Sequence, residues 1–92
     1  MTLSQLRKQI DRIDRQLLSM LNRRARMAVR IGRLKKKQGL AVFDGRREVR
    51  MMRQLTRTNR GPLPRAAVRR IFGEIVHENR NIQLLTLKKS AP

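Results

Sequence analysis

One apolar seam constrains this chain more than any other feature. Leu3, Leu6, Ile10, Ile13, Leu17, Met20, Met27, Ile31 and Leu34 recur at alternating steps of three and four, with Arg24 at the one step where an apolar residue is missing. That is the heptad period of a helix packed lengthwise against other helices. A second row, Leu18, Leu21, Ala25, Ala28 and Gly32, widens the stripe and leads to Lys35. A guanidinium on such a face is costly unless an anion meets it. Lys35 follows Arg24 by eleven residues, about three turns along nearly the same face. The seam therefore delivers two cations to one interior line.

The remaining elements follow from their end signals. Thr2 or Ser4 caps the first helix, Lys35, Lys36 and Lys37 crowd its last turns, and Gly39 stops it in a left-handed conformation. Leu40 to Phe43 is an extended connector laid on the core. Asp44 opens a second helix as its N-cap, running to about Thr58, with Glu48, Met52 and Leu55 facing inward. Gly61-Pro62 makes a turn, and Pro64 suits the first turn of a third helix reaching roughly Leu87. There Val68, Phe72, Ile75, Asn79 and Ile82 form the inward row, with Val76 and Gln83 beside it. The fold class is all-α: three helices, one long and two shorter. The chain is expected to be a single domain over residues 1–92, with a core at about 3–87 and a frayed tail at 88–92. A lone hairpin of this length buries little surface, so oligomerisation is expected.

Composition excludes several classes. The chain has no cysteine, which removes disulfide frames and thiolate metal sites. No stretch of 18 apolar residues exists, and Arg7, Lys8 and Asp11 interrupt any apolar leader, so the expectation is a cytoplasmic protein without membrane contact. Lys and Arg number 24 against 6 Asp and Glu, a formal charge of +18. Such an excess favours polyanion contact. The cations are nevertheless spread over the whole chain, and Phe43 and Phe72 are its only aromatic residues, too few for a base-stacking platform. Most of the charge reads as solvated helix surface, with nonspecific polyanion binding as its side effect.

The polar residues on inward faces are chemically lopsided. Arg24 and Lys35 on the first helix, Glu48 on the second, and Asn79 and Gln83 on the third give two cations, one carboxylate and two neutral hydrogen-bonding groups. Arg47 adds a cation at the rim. Taken one at a time, each has a structural explanation: a snorkelling arginine, a salt-bridge partner, an amide that fixes register. Together they suit a small polar anion held between helices. His77 lies one residue off the inward row and reads as a surface histidine, and no serine has a neighbouring base. Such a site polarises and restrains its ligand rather than attacking it, so any catalysis rests on electrostatic preorganisation and a held reactive conformer. Arg7 lies 17 residues before Arg24, about 25 Å along a continuous helix. It reaches the same pocket only from a second copy packed antiparallel.

The run LRKQIDRIDRQLLSMLNRRARMAVRIGRLKKKQGLAVFDGRRE, followed by GPLPRAAVRRIFGEIVHENRNIQ, resembles the all-helical class of chorismate mutase over roughly residues 3–87. The likeness is carried by L-R-x-x-I-D-x-I-D, R-R-A-x-x-A-x-x-I-G-x-x-K, D-x-x-R-E and a C-terminal I-F-x-x-I…Q. It implies an intertwined homodimer that converts chorismate to prephenate, a step toward phenylalanine and tyrosine, by a Claisen rearrangement without cofactor, metal or covalent intermediate. In that resemblance Arg7 is supplied by the partner chain and Arg24 by the same chain, both to substrate carboxylates. Lys35 contacts a carboxylate and the ether oxygen. Asp44 and Glu48 lie near the ring hydroxyl, which Glu48 accepts, Arg47 is a further basic residue, and Gln83 donates to the ether oxygen. Asn79 stands where many relatives have serine, and the net charge is far above the family's habit.

Two other readings compete. An isochorismate pyruvate-lyase shares the fold, but its relatives lack the acidic pair that Asp44 and Glu48 form here. A basic helical nucleic-acid-binding module would rest on the +18 charge alone.

Overall fold

The computed structural model describes the backbone of residues 1–90 and the side chains of residues 1–88. Helix α1 spans Leu3–Lys37, α2 Gly45–Thr58 and α3 Arg65–Ser90, in that order and with no strand among the described residues. Thr2 caps α1 in a reciprocal box: its Oγ1 accepts from the Gln5 backbone N–H at 3.1 Å, and its own N–H donates to Gln5 Oε1 at 2.8 Å. At the other end Gly39 takes φ +71°, its N–H donates to the Lys36 carbonyl at 3.1 Å, and the Leu40 N–H reaches the Lys35 carbonyl at 2.8 Å. This pair of bonds closes the last turn and satisfies carbonyls that the helix leaves open. It also turns the connector back beside Lys35.

Asp44 caps α2 as expected, its Oδ1 accepting from the Arg47 N–H at 3.1 Å. α3 begins one residue after Pro64, whose carbonyl accepts from the Ala67 and Val68 N–H groups at 3.0 and 3.1 Å. The third helix, expected to reach roughly Leu87, is longer. α3 continues through Ser90 because no Gly or Pro interrupts residues 74–90; residues 91–92 lie outside the described residues.

The core lies where α3 meets α1, and α2 packs on α3. Asn79 faces Arg24, and Gln83 faces Ala28 and Gly32, so α3 climbs α1 in the same direction along this stretch. The small side chains of Ala28 and Gly32 admit the close approach. An added Cβ on Gly32 would stand 3.4 Å from Gln83 Cγ.

The seam itself stays open within one chain. Its nine apolar members are each 42–63% exposed, while the second row is buried at Ala28 and Gly32. The radius of gyration, 16.5 Å, exceeds the roughly 12 Å of a compact 92-residue domain. A single copy is a scaffold 56 Å long with one unshielded apolar edge.

Candidate active site

A half-open cleft of about 220 Å³ lies between the C-terminal half of α1, the connector, α2 and α3. Arg24, Lys35, Asp44, Arg47, Glu48 and Gln83 all line it, together with Arg80. Six of the eight residues singled out in the sequence therefore meet at one place. Asn79 stands behind the wall rather than on it, and Arg7 lies near the opposite end of α1.

Each side chain is fixed by its own local physics. Arg24 occupies the heptad step over α3, where its Nη1 donates to Asn79 Oδ1 and its Nη2 points at Met51 Sδ, 3.5 Å away. Asn79 is 9% exposed, so it serves as a buried acceptor that orients the guanidinium without neutralising it. Lys35 lies in the last turn of α1, where the helix dipole favours a cation. Its Nζ makes one long contact, 3.5 Å to the Val42 carbonyl. An ammonium carries three donors, so Lys35 retains capacity for a ligand.

Gln83 is 8% exposed and its Nε2 donates to the Ala28 carbonyl at 2.7 Å. An amide nitrogen has two protons, and the first bond fixes the direction of the second. Asp44 and Glu48 come to the cleft from the start of α2. The Arg47 N–H bonded to Asp44 holds its carboxyl below the usual value, with desolvation opposing and Lys35, Arg50 and the Arg46 N–H adding to the lowering. Glu48 is ion-paired with Arg80. His77 is exposed, in agreement with its reading as a surface residue.

Arg80 is the lining residue that the sequence reading passed over. On α3 it follows Val76 by four and precedes Gln83 by three, so it shares their face. That spacing was the available signal, hidden in a chain where arginine is common at every face.

The cleft thus offers Arg24, Lys35 and Arg47, without carboxylate partners among the described residues, plus an oriented amide and two carboxylates to one side. It suits a small molecule with several negative charges and a hydroxyl, and it lacks a cysteine or a histidine to act as nucleophile or base.

Comparison with known proteins agrees. The sequence model of the family chorismate mutase type II matches residues 6–84. The bifunctional chorismate mutase/prephenate dehydratases of Aquifex aeolicus and Neisseria gonorrhoeae are 40% and 43% identical over 78 and 72 residues, 80% and 78% of this chain. The chain spans only about a fifth of the length of these curated relatives, 22% and 19%. Two forms of the chorismate mutase of Thermus thermophilus superpose with TM-scores of 0.86 and 0.82 at 37% and 39% identity. Those alignments cover 88% and 84% of this chain and 92% and 96% of the Thermus chains. With the motif order of the sequence, the three-helix scaffold and the family match all in agreement, this chain belongs to the chorismate mutase type II family.

Proposed function

We propose that the chain rearranges chorismate to prephenate, as a homodimer whose two long helices pair along the open seam. The observation that carries the reading is the gathering of Arg24, Lys35, Arg47, Glu48 and Gln83 around one small cleft in a member of this family. Chorismate carries two carboxylates, an ether and a ring hydroxyl. Arg24 grips one carboxylate, and the partner subunit's Arg7 completes the grip on the dianion. Asn79 acts through Arg24, keeping the guanidinium aimed at the substrate.

In the rearrangement the ether C–O bond breaks as a new C–C bond forms, and negative charge grows on the ether oxygen. Lys35 and the second amide proton of Gln83 are donors to that oxygen. At an effective dielectric near 20, two unit charges about 4 Å apart interact by roughly 4 kcal/mol, enough to account for a large part of an electrostatic rate enhancement. Glu48 accepts the ring hydroxyl, and Asp44 and Arg47 complete the rim. No proton is transferred, so neither Glu48 nor Asp44 is needed as a general base, and their part is to bind.

Mixing two inactive variants tests both the reaction and the shared site. Arg7→Ala and Arg24→Ala each lose activity alone. Exchanged into mixed dimers, they regain about a quarter of the wild-type rate, because half the dimers are mixed and each has one intact site. No recovery on mixing would remove the shared site. Pyruvate from isochorismate, with no prephenate from chorismate, would identify a lyase instead. Separately, the +18 charge gives the protein a salt-sensitive affinity for polyanions. It is nonspecific if nucleic-acid retention vanishes by about 0.15 M salt.

A further inference from the structure

We infer that Arg80 is a positioning residue that presents Glu48 to the substrate and keeps it away from the anion-gripping cations. The inference rests on the chorismate mutase reading of the cleft. Glu48 shares its cleft with Arg24, Lys35 and Arg47, each of which would attract a free carboxylate. It pairs with none of them. Its Oε1 accepts from Arg80 Nη2, and among the described residues this is the only ion pair. Arg24 is turned to Asn79 and Lys35 to a backbone carbonyl. The cations therefore remain available to a dianion, and Glu48 Oε2 remains available as an acceptor.

Arg80 is itself held from two sides. Its guanidinium carbon lies 5.3 Å from the centroid of the Phe43 ring, within cation–π range. Its Nε is buried with no hydrogen-bond partner, so the packed stem tolerates an unpaired donor to put Nη2 where Glu48 is. One side chain on α3 thus ties together the connector, through Phe43, and α2, through Glu48. One guanidinium serves both contacts, its carbon within reach of the ring and one Nη donating to the carboxylate. Removing it frees Glu48 to swing onto Lys35 or Arg47, where it would mask the charge that the substrate needs.

Steady-state kinetics with chorismate on wild type, Arg80→Met, Arg80→Lys, Glu48→Ala and the double variant Arg80→Met/Glu48→Ala test this. Met preserves an apolar stem over Phe43 while deleting the charge. Arg80→Met is expected to lower kcat/KM about tenfold, and the same change on the Glu48→Ala background to cost less than about twofold, the non-additivity of two groups acting as one unit. Arg80→Lys, which keeps a charged donor for the single bond to Glu48, stays within about fivefold of wild type. Arg80→Met within twofold of wild type would overturn the inference. So would a loss that persists undiminished without Glu48, since Arg80 would then act on the substrate directly. If Arg80→Met melts below the assay temperature, Arg80→Lys decides alone: a loss as large as that of Glu48→Ala defeats the positioning role. An inactive wild type would instead count against the chorismate mutase reading.

Discussion

The two halves of α1 share one heptad seam, broken only at Arg24, but live in different environments. From Arg24 to Lys35 the helix is flanked by α3, with Ala28 and Gly32 buried and Arg24 and Lys35 turned into the cleft. From Leu3 to Leu21 every residue is exposed, including Leu3, Ile10, Leu17 and Leu18. Apart from Arg24 the seam is apolar in both halves; what differs is the second row. Ala25, Ala28 and Gly32 are small enough for α3 to settle close, whereas Leu18 and Leu21 hold a neighbour farther off. The C-terminal half builds the site within the chain, and the N-terminal half offers an edge that only another molecule can cover.

The largest effect is expected at Leu17, 54% exposed in the single chain. In a two-fold pairing Leu17→Asp acts twice, removing about 1.5–3 kcal/mol of burial in each copy and more for the buried charge. Sedimentation should give one 10.8 kDa chain with unchanged helical circular dichroism and no activity at low protein concentration. A persisting dimer would mean that the open seam is not its interface. Next in size is Lys35→Ala in the packed half, expected to cost about 3 kcal/mol of transition-state stabilisation, or 10²–10³ in kcat, without altering the mass. Equal rates in variant and wild type would take Lys35 out of the chemistry.

Smaller effects sharpen the contrast between the second rows. Gly32→Val crowds Gln83, whose Cγ already lies 3.4 Å from an added Cβ, and overpacking of this kind costs roughly 1–3 kcal/mol. Leu18→Val on the exposed half removes one methylene and should cost no more than about 0.8 kcal/mol even where a partner covers it. Thermal unfolding of the pair, with kcat for Gly32→Val, reads the difference directly. The smallest effect concerns Asp44. Its carboxyl titrates below the ordinary 3.8, so its charge favours the folded state above that pH, and the gain disappears as pH falls through the lowered value. Asp44→Asn keeps a capping oxygen and loses the charge. Its melting temperature should lie slightly below wild type at neutral pH and converge with it in strong acid; a gap that widens on acidification would reverse the assignment.

Much of the site was legible because its residues break a pattern. Arg24 is conspicuous as the single cation in a row of Leu, Ile and Met, and Asn79 and Gln83 as amides in an apolar row. Asp44 declares itself as a cap. Arg80 breaks nothing: it sits on a helix dense in arginine, and its meaning depends on Glu48, 32 residues away on another helix. Asn79 was legible as inward-facing but not as a support for Arg24, because periodicity gives the face of a residue and not its partner.

Sequence alone settled the three helices and the ends marked by Thr2, Gly39 and Asp44, because caps and stop signals are local properties that each segment carries with it. It also settled that Arg7 and Arg24, about 25 Å apart on one rigid helix, cannot meet within a chain. Which row of α1 receives α3, and that Glu48 binds Arg80 in preference to Arg24, Lys35 or Arg47, were decided only in three dimensions. Those outcomes depend on how closely two helices approach and which charges lie within reach, and both are fixed by side-chain volume at contacts far apart in the chain.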